Sequence, residues 1–152
     1  MPAGAVVVHL FVMGTPALDD VKEARVLKGK SYSLGGHGGS GDRFIDTTEA
    51  IATYVASKYG TAMKRLVLRG KVKTFLEPPY PANPTDELKT RWTVEWNAYN
   101  KKKEKYDEHR DLVFSLIFER CDERDLRNQV LSHESFDKLE DDANVPGLLS
   151  LI

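Results

Sequence analysis

The sequence predicts a mainly α-helical protein with a less regular N-terminal segment that holds a candidate strand. Three observations carry this expectation. Residues recur at helical spacing after Asp46, at Thr48, Ile51, Ala52, Val55 and Tyr59. A second stretch repeats the pattern at Leu88, Trp92, Trp96, Tyr99 and Tyr106, then at Val113, Leu116, Ile117, Phe118 and Cys121. Glycines stand where helices would stop, at Gly60 and Gly70. A chain of 152 residues fits one domain of ordinary size and can bury a core. At 41% hydrophobic and 30% charged residues, the composition excludes a wholly disordered chain.

Residues 1–45 form the irregular N-terminal segment. Val6, Val7 and Val8 favour extended structure within the apolar run from Gly4 to Gly14, read as a short strand or a sticky arm. That run is too short for a bilayer, which takes about 20 apolar residues. No Lys or Arg precedes it, so it lacks the charged start of a secretory signal. Residues 19–27 read as amphipathic, the alternation at Ser31, Tyr32, Ser33 and Leu34 as a strand, and the glycines from Gly35 to Gly41 as a loop.

The helical domain is placed at 46–152. Its first helix is expected to open at Asp46, with Glu49 completing a capping box, and to close at Gly60. A second helix is expected at 61–69, closed by Gly70. Met63, Leu66 and Val67 share one side of it, and Lys64, Arg65 and Arg69 the other. Residues 77–84 hold four prolines and predict a rigid connector near polyproline II. Asn83 is expected to cap the next helix, with Pro84 at its first position. The polar residues 101–109 are either a solvated stretch of one long helix or a break between two. Further short helices are expected at 123–131 and 136–140. The apolar end, 145–152, reads as the unfinished helix of a longer chain.

The motifs that carry chemistry are weak. Gly36, Gly38 and Gly41 match the spacing of a dinucleotide loop, but the region where an acidic ribose ligand should follow, 64–73, is basic. Asp42 and Arg43 stand where a P-loop needs Lys and Ser or Thr. His9, His37, His109 and His133 lack partners at metal-ligand spacing. Cys121 is the single cysteine, so no internal disulfide can form and a reducing compartment is the natural reading. His109 lies twelve residues from Cys121, about 120° round a helix and too far along it to act as its base. Cys121 reads as a small core residue. The sequence therefore assigns no catalytic, cofactor or metal residue, and the expectation is a soluble, intracellular, non-enzymatic interaction module without a small-molecule substrate.

Charge and aromatic residues give the binding candidates. The net charge is −1, which excludes a strongly basic chain as a whole. From Thr61 to Lys105, however, there are eleven Lys or Arg and five Asp or Glu. From Glu119 to Asp142 there are four and nine. A basic middle beside an acidic tail suits head-to-tail self-association, or weak phosphate contact through Lys64, Arg65, Arg69, Lys71 and Lys73. A merely solvated surface is the competing reading. Trp92, Trp96 and Tyr99 form a stripe at i, i+4 and i+7. Helical spacing favours core packing against the 46–59 helix, with Trp92 inside, and a self-association ridge is the second reading.

A set of signals also comes in a recognisable order. Leu27-Lys28-Gly29-Lys30 is followed by Thr47-Thr48-Glu49-Ala50-Ile51-Ala52-Thr53-Tyr54-Val55 with Tyr59-Gly60. Leu76-Glu77-Pro78-Pro79 comes next, then Trp92 to Tyr99 with a lysine-rich continuation. Phe114-Ser115-Leu116-Ile117 with Cys121, Leu126-Arg127 and Leu148-Leu149-Ser150-Leu151-Ile152 complete the series. This order resembles the Gag polyprotein of copia-type LTR retrotransposons, especially copia-like elements of algae and related microbes. The resemblance covers residues 27–152 and lies in order and spacing rather than in one motif. It implies a cytoplasmic, helical, capsid-forming protein that associates with itself into a shell around element RNA and has no enzymatic activity. The zinc knuckle of such proteins is missing, since Cys121 stands alone, and the chain stops where Gag chains usually continue. Only weak, sequence-insensitive RNA contact is therefore expected. A small adaptor or scaffold that binds a partner protein through the same aromatic face is the alternative.

Overall fold

The computed structural model describes residues 23, 25–34, 40–121 and 124–152. The apolar run at 4–14, the start of the amphipathic stretch and residues 35–39 of the glycine loop lie outside them. The described part is mainly helical. Its helices are α1 (Ser40–Tyr59), α2 (Thr61–Arg69), α3 (Asp86–Glu119), α4 (Arg124–Ser132), α5 (Phe136–Asp141) and α6 (Val145–Leu151). None of them is long and apolar enough to cross a membrane.

The strand expected at Ser31 to Leu34 shrinks to one isolated parallel bridge between Tyr32 and Cys121. The Tyr32 N–H donates to the Arg120 carbonyl at 2.8 Å. The neighbouring backbone is the turn that ends α3, which offers no extended partner for a longer ladder. Side chains hold the segment instead. The Tyr32 hydroxyl lies 2.9 Å from Thr48 Oγ1, Thr47 Oγ1 donates to the Ser31 carbonyl at 3.1 Å, and Arg120 reaches the Leu27 carbonyl and the Glu23 carboxylate. Leu27 and Tyr32 are fully buried in the same core as α1, so that core runs across residue 45.

Helix α1 starts at Ser40, six residues before the expected cap. Asp46 is an exposed position inside the helix, 4.0 Å from Lys30. Upstream, Asp42 favours the positive end of the helix dipole, and Phe44 packs on Tyr32 with ring centroids 5.3 Å apart. These two gains extend the helix past a good cap candidate. Thr48, Ile51, Ala52 and Val55 are buried, as their spacing predicts, Thr47 joins them, and Tyr59 is half-buried with its ring 4.6 Å from that of His109.

Helix α2 buries Met63, Leu66 and Val67 and turns Lys64, Arg65 and Arg69 outward. Gly70 ends it at φ 61° and ψ 20°, with its N–H on the Leu66 carbonyl and the Lys71 N–H on that of Arg65. A Cβ at Gly70 would sit 3.3 Å from Pro146 of α6, so the position needs both the left-handed backbone and the missing side chain. The Gly70→Ala variant should lose about 1–2 kcal/mol, the cost of a left-handed L-residue. Urea denaturation measures this, and an unchanged midpoint would contradict it.

Helix α3 is continuous, so 101–109 is a solvated stretch rather than a break. Its cap is Thr85, not Asn83: the Thr85 hydroxyl accepts from the Leu88 N–H at 3.3 Å, and Asp86 and Glu87 follow in the first turn. Its C-terminal part buries Val113, Phe114, Leu116 and Ile117. The expected short helices appear as α4 and α5, and Phe136 at the start of α5 packs on Phe114 and Phe118. The apolar end forms α6, capped by the Asn144 side chain on the Gly147 N–H, and it packs against α2, α3 and α5. Cys121 is fully buried with its sulfur directed at the Ile117 carbonyl, and burial pushes its thiol up to about 11 against a smaller opposing pull from Arg127. A neutral, enclosed thiol is a packing group and not a nucleophile.

Candidate functional site

The described structure has one large surface that does not join the core. From Asp86 to Lys105, helix α3 has no buried residue. At about 1.5 Å per residue, this outer half extends about 30 Å before Tyr106 enters the core. Local interactions hold it helical: the Thr85 cap, the acidic first turn and the Arg91–Glu95 pair at 3.2 Å. The charged run at 101–105 adds good helix formers.

The aromatic stripe lies on this outer half. Trp92 and Trp96 are stacked with ring centroids 5.2 Å apart, and Tyr99 continues at 5.6 Å from Trp96. All three are half-buried. The expected packing of Trp92 in the core against the 46–59 helix is not found. The cover comes from the proline-rich connector. The Trp92 Nε1–H donates to the Pro78 carbonyl at 3.1 Å, and the Tyr80 ring meets Trp92 edge-on at 5.0 Å. Further along, the Phe75 ring meets Tyr106 at 5.5 Å, and the Lys73 N–H donates to the Tyr106 hydroxyl at 3.0 Å. Residues 73–80 thus run antiparallel to α3 as an extended strap. The physical reason is the pair of signals at its ends. Gly70 turns the chain out of α2, and the prolines forbid it from coiling back into a helix. The cover is thin: Leu76 is 95% exposed and Tyr80 57%.

The basic candidates divide. Lys64, Arg65 and Arg69 stay on the exposed side of α2, and Lys71 is exposed just beyond it. Lys73 joins a groove between strap and α3, where Phe75, Tyr99, Lys102 and Lys103 also line the walls. Its ammonium lies 5.0 Å from the Phe75 ring centroid. Sequence reasoning did not single out Lys101, Lys102, Lys103 and Lys105, which place four ammonium groups on the outer half of α3. Phe75, Pro78 and Tyr80 were also missed as partners of the aromatic stripe. The lysines were legible as a charge run, whereas the strap contacts depend on the path of the chain after Gly70. Among the described residues, no group of three His, Cys, Asp or Glu side chains is arranged to hold a metal ion. No protein-family model, curated protein or solved structure matches the chain.

Proposed function

We propose that this protein is a non-enzymatic, self-associating structural protein of the Gag capsid type, acting in the cytoplasm, with the outer half of α3 as its contact surface. The observation that supports this most is the aromatic ladder Trp92–Trp96–Tyr99 on the outer half of α3, which has no buried residue from Asp86 to Lys105. Tryptophan and tyrosine are costly to leave half-wet, and they are the residues that dominate interface energy. Single-stranded RNA is the secondary ligand, bound weakly through Lys73, Lys102 and Lys103 beside Phe75 and Tyr99. The alternative, an adaptor for a partner protein, is favoured by one contact: the Trp92 N–H already holds a proline carbonyl, as a groove for proline-rich peptides would.

Size-exclusion chromatography with light scattering separates these readings. Mass that rises with protein concentration is expected for self-association. A constant monomer up to millimolar concentration would leave the adaptor. The same run with a single-stranded RNA at low salt should show complexes that vanish as salt is raised, and no RNA complex at low salt would remove the secondary ligand.

A further inference from the structure

Between Glu49 and Glu77 the chain carries six Lys or Arg and no Asp or Glu. Helix α2 lies in the middle of this stretch and gathers its cations on one side. Met63, Leu66 and Val67 are buried against the rest of the fold. At about 100° per residue, the opposite face is centred on Thr61 and Leu68, with Lys64 on one flank and Arg65 and Arg69 on the other. All five are exposed, and Lys71 is exposed just past Gly70. Leu68 is 43% exposed, and Val72, two residues beyond Gly70, is 48% exposed.

The elements packed on α2 leave this charge standing. Helix α1, its main packing partner, has Thr53, Ser57 and Lys58 exposed along its last turns. Helix α6 contains no charged residue. Two carboxylates come near the end of α2: Asp107 and Asp142 each line a cavity with Val72. Arg110 lines both cavities and pairs with Asp107 at 3.4 Å. None of Lys64, Arg65, Arg69 and Lys71 forms an ion pair with a described residue.

The shape and chemistry of the face select its ligand. It is a helix exterior rather than a groove, and residues 60–74 include no aromatic ring. Single-stranded nucleic acid is held by bases stacking on rings along a basic groove, and that arrangement lies elsewhere, between the strap and α3. An exposed leucine flanked by cations suits a surface that is anionic outside and apolar beneath. We propose that α2 docks this protein on an acidic phospholipid membrane. Lys64, Arg65, Arg69 and Lys71 meet the anionic headgroups, and Leu68 enters the boundary between headgroups and acyl chains. The face is already formed on the folded core, so docking orders no new segment. It uses none of the residues assigned to self-association or to the RNA groove.

Vesicle flotation tests it, because assemblies of the protein alone stay at the bottom of the gradient. Vesicles of about three parts phosphatidylcholine to one part phosphatidylserine should carry the chain upward at low salt, and pure phosphatidylcholine should not. Each cation near an acidic surface raises partitioning about fivefold, so Lys64→Gln, Arg65→Gln and Arg69→Gln together should weaken it about a hundredfold. Leu68→Gln should weaken it several-fold at unchanged charge. All four positions are exposed, so both variants should keep the wild-type circular dichroism and melting temperature. A wild-type chain that does not float with the acidic vesicles would overturn the proposal. Flotation that survives either the triple substitution or Leu68→Gln would overturn it equally. A triple variant that floats like the wild type but loses single-stranded RNA would assign the face to nucleic acid instead.

Discussion

Replacing Ile117 by alanine is expected to cost about 2–5 kcal/mol, because it removes a fully buried side chain from a core that cannot close the gap. Ile117 sits where α3 is enclosed by the other helices, together with Val113 and Phe114. A domain of this size holds a total of about 5–15 kcal/mol, so the loss is a large part of its stability. Trp92→Ala makes the contrast. Trp92 is larger than Ile117 but only half-buried, and it loses a stacked ring, an edge-on ring and one hydrogen bond to the strap. At about 0.5–1.5 kcal/mol each these three contacts sum to about 1.5–4.5 kcal/mol, but they join the strap to the outer half of α3 and are lost locally rather than from the core. Urea denaturation of both variants should therefore rank Ile117→Ala below Trp92→Ala. Light scattering should show the Trp92→Ala chain folded but with weakened self-association. A Trp92→Ala chain as unstable as Ile117→Ala would mean that the outer half of α3 is part of the cooperative core.

Stability should also collapse in alkali. Burial pushes the Tyr32 phenol up to about 12, opposed by the hydrogen bond to Thr48, and burial likewise pushes Cys121 up to about 11. Both groups are neutral when protonated, and both hold their protons more tightly folded than unfolded. The stabilisation is therefore complete below about pH 9 and is lost as pH rises through about 11 to 12. A proton held tenfold more tightly by the folded chain is worth about 1.4 kcal/mol, so the pair together removes several kcal/mol by the upper end of that window. The two residues are joined by the backbone bridge, and the loss should begin where the N-terminal segment meets the end of α3. The measurement is the urea midpoint at pH 8 and pH 11 for the wild type and for Tyr32→Phe. The variant should start less stable or equal and show the shallower fall. A wild-type midpoint that does not move between those pH values would contradict the buried, neutral state of both groups.

What the sequence by itself determined is the set of helices and their inner faces. The 3.6-residue period at Ile51, Ala52 and Val55, at Met63, Leu66 and Val67, and at Val113, Leu116 and Ile117 is a local property, written in residues a few positions apart. Gly70 was legible as a stop for the same reason, since a left-handed residue needs no knowledge of distant chain. The lone cysteine was legible as packing because it continues the apolar side of its helix, four residues after Ile117 and eight after Val113. Other features depended on which segments meet. The start of α1 moved to Ser40 because Phe44 finds Tyr32, a partner twelve positions away. The strand at 31–34 failed because a ladder needs a second extended backbone, and only the turn after α3 was beside it. The Trp92 stripe has the same spacing as a core face, so periodicity could not tell whether a core or a strap would cover it. Tertiary structure decided that, because the core engages α3 only from Tyr106 onward, and the chain leaving Gly70 lies along the part that remains.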